Sequence, residues 1–175
     1  RHDRRAMRRL VCIMTVMATA VTALAQSAQD FASRFMQMCD EDTAVVCVTV
    51  SPKMMEQLGR QNDAEISEDM AQAIHKLKSA RIVTATSNSD VYYDRAEKLL
   101  VKNNRRFRRS KSYNTQSAHG TFYTRQTKNG NTVELILLHN DTRKGTMVIV
   151  NLTGDIDKEF IDSLAKHFGV KTACA

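Results

Sequence analysis

Along this chain the apolar positions change rhythm several times, and each rhythm predicts an element. Phe31, Phe35 and Met38 recur at helical spacing, which predicts a short amphipathic helix over Ser27–Met38. Thr43–Val50 is a β-branched run, with Ala44, Val45, Val46, Val48 and Val50, and reads as a strand. Ser51-Pro52 then sets an N-cap before proline at the first helical position, so a short helix should run from Pro52 toward Gly59, followed by a polar loop over 60–65. Ser67, Glu68 and Asp69 open another helix, whose stripe is Met70, Ile74 and Leu77, with Lys76 and Lys78 near its carboxyl end. Arg81–Thr86 is the second strand, and Asp90–Lys102 a longer helix turning Tyr92, Ala96, Leu99 and Leu100 inward.

From Phe107 the period falls to two. Phe107–Tyr113 and Thr121–Thr127 are expected strands, and Asn129-Gly130 is the strongest hairpin signal in the chain, pointing to a type I′ turn. In the next strand Val133, Leu135 and Leu137 alternate with Glu134, Ile136 and Leu138, so both of its faces are apolar. A turn from Asn140 to Gly145 leads into a strand over Thr146–Leu152. Asp155 then starts a last helix with the stripe Ile156, Phe160, Leu164 and Phe168, ended by Gly169. Four hairpin-connected strands require an antiparallel meander. The fold class is therefore α+β: that meander plus two further strands, with one layer of helix packed on one layer of sheet, and neither repeat nor linker. The two-sided apolar strand requires either helices on both sheet faces or an exposed patch for a partner.

The first 25 residues read as an address. Arg8-Arg9 precedes an uncharged run, Leu10–Thr22, and then Ala23-Leu24-Ala25, which gives a basic region, an apolar region and a cleavage site before Gln26. Sixteen residues, Leu10–Ala25, are short of the roughly 20 that span a bilayer. The expectation is a signal peptide over 1–25, translation starting at Met7, cleavage after Ala25, a single domain over 26–175 without a stable membrane span, and a periplasmic or secreted location. The charge is distributed accordingly. The chain carries a formal net +7, but residues 1–25 hold five Arg against one acid, and the remainder has 21 basic and 18 acidic residues. So mild an excess in an exported domain argues against nucleic acid. Cys39, Cys47 and Cys174 remain after cleavage, an odd number. Cys47 lies within a strand and reads as a small buried hydrophobe, which leaves Cys39 and Cys174 as the candidate disulfide.

Several segments together resemble the domain of unknown function 4252 family, small exported proteins found chiefly in Bacteroidota. They are the Val-rich strand entering a Met-containing helix at Val45–Met55, and the helix entering an Arg-Ile-Val-Thr strand at Ile74–Thr86 with a Tyr- and Leu-bearing helix after it. The others are Val133-Glu134-Leu135-Ile136-Leu137 and the run from Val148 to Ile156. The resemblance covers nearly all of 26–175. It implies an exported protein and brings no assigned activity, cofactor or catalytic residue.

Candidate chemistry is sparse. Arg105, Arg106, Phe107, Arg108, Arg109 and Lys111 place five cations around one aromatic, a surface for phosphate, anionic glycan, lipid headgroup or a protein partner, or else a charged edge strand kept from pairing. Read as a strand, Arg106 and Arg108 share one face, and Arg105, Phe107 and Arg109 the other. His75, His119, His139 and His167 form no metal-ligand spacing, and no glycine-rich phosphate loop is present, so no metal and no cofactor is expected. His139 with Asp141 and a Ser or Cys nucleophile is the one hydrolase constellation, without a nucleophile-elbow motif to support it. Asp155, Asp157, Glu159 and Asp162 read as the start and polar face of the last helix. The expected function is a non-enzymatic binding module of the cell envelope, engaging an envelope protein or an anionic envelope component; the alternative is a hydrolase assembled from scattered residues.

Overall fold

The computed structural model describes residues 29–40, 42–51, 53–55, 57 and 68–167. The expected signal peptide, Pro52, Gly59, the 60–65 loop, Ser67, Phe168, Gly169 and Cys174 lie outside the described residues. In chain order the elements are α1 (Phe31–Met38), β1 (Val45–Val50), α2 (Glu68–His75), β2 (Leu77–Ala85), α3 (Ser89–Lys102), β3 (Arg108–Asn114), β4 (Ala118–Gln126), β5 (Thr132–Asp141), β6 (Thr146–Ile156) and α4 (Lys158–His167). Between β1 and α2, Ser51 Oγ accepts the Met54 N–H at 3.3 Å, the predicted cap.

The strands form one antiparallel sheet in the order β1-β2-β6-β5-β4-β3. Strands β3 to β6 are the predicted meander, and β2 adds to its β6 side. Both faces of the sheet are covered, which corrects the expectation of a single helical layer. On one face Phe31, Ala32 and Phe35 of α1 and Tyr92, Tyr93, Ala96 and Leu100 of α3 pack with Val83, Tyr123, Ile136, Leu138, Met147 and Ile149. On the other, Ala73 of α2 and Phe160, Ile161 and Ala165 of α4 pack with Phe122, Leu135, Leu137 and Leu152. The physical reason is the one visible in β5: Leu135 to Leu138 are all buried, so each face needs its own cover.

Three boundaries differ from expectation. The helix from Glu68 stops at His75, and Leu77 and Lys78 already belong to β2. Strand β6 runs on to Ile156, and the last helix starts at Lys158 instead of Asp155. Both follow from Gly154, which lies within β6 at φ 145°. A Cβ there would sit 2.5 Å from the Lys76 carbonyl and 2.7 Å from Leu77 Cα, so glycine lets the two chains approach and pairing continues past it. The Asp155 N–H then donates to Lys76 O at 3.1 Å. The third difference is the turn at Asn129-Gly130. Only Gly130 is left-handed (φ 86°). Gly130 N–H bonds Thr127 O and Thr127 N–H bonds Asn131 O, which is a three-residue loop with glycine at its bulge rather than type I′.

Candidate functional site

The basic segment begins where α3 ends. The Asn103 side chain donates to Leu99 O at 2.7 Å, and the N–H groups of Arg106 and Phe107 both bond Asn103 O. The resulting turn holds Arg105 and Arg106 ahead of the strand, which corrects the predicted alternation, and drops Phe107 into the core edge-on to Phe31 at 6.0 Å.

Two of the five cations are tied to the fold. The Arg106 guanidinium lies 5.2 Å over the Phe107 ring and 3.9 Å from Glu134 Oε2. Glu134 is fully buried. Its Oε2 accepts Arg125 Nε–H at 2.7 Å, and its Oε1 accepts Phe31 N–H at 2.8 Å and Asn151 Nδ2–H at 3.1 Å. Asn151 Oδ1 takes the next amide of α1, Ala32 N–H, at 2.8 Å. The first turn of α1 is thus capped by two sheet side chains. Lys111 pairs with Asp162 of α4 and holds that carboxyl below its ordinary range.

Arg105, Arg108 and Arg109 remain exposed on or beside β3, a terminal strand of the sheet. Arg109 lies opposite Tyr123 and Lys111 opposite Phe122, so a bulge at Ser110 separates onto opposite faces two residues that strict alternation would keep together. Arg109 therefore borders a groove of about 610 Å³ between α3 and the β3–β4 shelf, lined also by Tyr93, Asp94, Glu97, Asn114 and His119. Side-chain contacts link the groove wall: Tyr93 Oη meets Thr121 Oγ1 at 3.1 Å, its ring stands edge-on to His119 at 4.7 Å, and Tyr123 Oη donates to Glu97 at 3.5 Å. Burial pushes the Tyr123 hydroxyl up to about 12 and raises that of Tyr93, so both keep their protons at any ordinary pH. Arg109 shares this groove with Asp94 and Glu97, so its lining carries both signs of charge.

His139 and Asp141 are used differently from a catalytic pair. The residues opposite His139 are Gly120 and Val148. The Tyr113 ring crosses over Gly120 from β3 and brings its hydroxyl to His139 Nδ1 at 2.5 Å. Burial raises the Tyr113 hydroxyl, which keeps its proton, and burial lowers His139; which of the two donates follows the tautomer of the ring. Asp141 takes the Lys144 N–H at 2.9 Å and closes the β5–β6 turn. Asp157 is an N-cap, accepting Phe160 N–H at 2.8 Å. Cys39 is buried and Cys47 half-buried on β1.

Sequence reasoning missed the role of Glu134. Its signal was present: the one acid within the apolar run Val133–Leu138, on the face of Ile136 and Leu138, where a carboxylate must find donors. The groove carries no sequence signal, because α3, β3 and β4 contribute to it from separate segments.

The family comparison matches residues 21–164 to one family, described as Domain of unknown function (DUF4252). No curated protein matches the chain. Among solved structures, it is similar to a protein of unknown function from Pseudomonas aeruginosa, with 12% identity, 77% of this chain and 85% of that one covered, and a TM-score of 0.33. It is also similar to the Ran-binding protein Mog1p of Saccharomyces cerevisiae, with 16% identity, 60% and 62% covered, and a TM-score of 0.30. Likeness at this level carries no argument about function.

Proposed function

We propose that this chain, which belongs to the DUF4252 family, is an exported, non-enzymatic binding module of the cell envelope that engages an anionic group of its partner through Arg105, Arg108 and Arg109. The observation that carries the reading is the division of the basic segment. Arg106 and Lys111 are bound within the fold, whereas the other three cations face solvent at a sheet edge with no acid paired to them in the described ion pairs. Guanidinium groups left in this state favour carboxylate, phosphate or sulfate partners. At His139 one partner is the Tyr113 hydroxyl, and Asp141 closes the β5–β6 turn, so the reading rests on the basic segment and not on this pair.

The test is a crosslinking pull-down from envelope extract at low and high salt, comparing the wild-type protein with Arg108→Glu/Arg109→Glu. Partner recovery is expected to fall at least about tenfold in the variant and to weaken with salt. Equal recovery by both proteins sinks the reading. Arg106→Glu is unsuited to this purpose, because it would set a second carboxylate against buried Glu134 and disturb the fold itself.

A further inference from the structure

The two terminal strands of the sheet are built on opposite chemistry. β3 carries Arg108, Arg109 and Lys111 and is bent by a bulge, both of which deter another strand from pairing with it. β1 reads Val-Val-Cys-Val-Thr-Val, without charge, proline or glycine, and pairs with β2 in unbroken register from Val45↔Ala85 to Val50↔Ala80. Among the described residues nothing lies beyond it in the sheet. On the face that carries α2 and α4, Val46 and Val48 are 57% and 52% exposed, and Ile82, opposite Val48, is 37% exposed. Half-buried Val148 and Val150 continue the same stripe inward along β6. An apolar stripe thus runs out to an edge that lacks the devices guarding the other one.

We propose that β1 pairs antiparallel with β1 of a second copy across a two-fold axis normal to the sheet, joining two six-stranded sheets into one. A second copy is the occupant that β1 itself specifies. In a self-paired β1 every residue meets an uncharged, mostly β-branched residue, whereas β3 against β3 would oppose arginine and lysine. The axis also keeps the faces matched, so Val46 and Val48 of each copy extend the stripe of the other. Registers that keep the apolar faces together are centred on a residue, and slippage by one position is penalised because it would turn every valine over. The contact is isologous and closes on itself, giving a dimer instead of a fibre.

The test is sedimentation equilibrium of the purified protein over a range of concentrations, with Val46→Lys/Val48→Lys as the variant. The wild type is expected at twice the chain mass, and the variant should dissociate at least about tenfold more readily, a loss of about 1.4 kcal/mol. Both positions are exposed, so the variant should keep its circular dichroism, and its melting temperature should match the wild type's at concentrations too low for dimerisation. Should the variant fail to fold, concentration-dependent hydrogen-exchange protection of the β1 amides in the wild type is an independent reading. A monomer at all concentrations overturns the proposal, as does a dimer that persists in a folded variant. A monomeric wild type whose stability falls in the variant would assign the stripe to a segment of its own chain, and overturns it too.

Discussion

At Glu134 the N–H groups of Phe31, Asn151 and Arg125 converge on a carboxylate that has no access to water. Burying that charge is tolerable only because each oxygen is occupied. Glu134→Ala removes the shared acceptor and leaves the first amide of α1 and the Arg125 guanidinium without it. We expect a loss of about 3–5 kcal/mol in urea unfolding, near the figure for breaking a buried pair. His139 gives a pH dependence whose sign follows from burial. The native ring is held below its ordinary pKa with desolvation as the main cause, against Asp141, which pulls it up, while His119 and Lys144 add to the lowering. The unfolded chain takes up its proton near pH 6.5, so between that value and the depressed native one it binds more protons than the folded state. Stability should fall as pH drops below about 6.5, and His139→Gln should flatten that slope in urea midpoints measured on either side of it. The lowered Asp42, Asp141 and Asp162 act in a separate window: their contribution is present above about pH 4 and is lost as pH falls through their native values.

Among the elements, α4 depends most visibly on its first residues. Asp157 caps it and also lies 3.3 Å from Lys76, but that ion pair is exposed and contributes little. Asp157→Ala should therefore cost about 1 kcal/mol in urea unfolding, while Asp157→Asn, which keeps the cap, should cost only a few tenths. Most elements were legible from rhythm: β5 showed two apolar faces through Leu135 to Leu138, although the expected architecture covered only one of them, and α3 showed its buried side in Tyr92, Ala96 and Leu100. What rhythm concealed were contacts between distant segments. Gly154 reads as a turn before a helix until Lys76 is seen beside it, and the bulge at Ser110 cannot be inferred from β3 without β4. The site suffered most from this. The basic segment was visible as composition, but which cations are free depends on Glu134 and Asp162, placed by other elements.

On the scale of the molecule, the six-stranded sheet has one cationic edge and one apolar edge, at its opposite ends. In the proposed dimer the apolar edges meet and the two cationic edges lie at the far ends, roughly 50 Å apart at the usual strand spacing. A partner surface bearing repeated anionic groups would then be held at two places, so its apparent affinity would exceed that of either edge alone. The strand order carries a further consequence, measured in time. β2 ends at Ala85 and its central neighbour β6 begins only at Thr146, about 60 residues later. At roughly 5–20 residues per second, β6 follows β2 by roughly 3–12 s during synthesis. Whenever the chain emerges amino end first, in synthesis or in the export proposed above, the Val-rich β1 and its neighbour β2 precede the strand that shelters β2 inside the sheet, and that interval is open to aggregation.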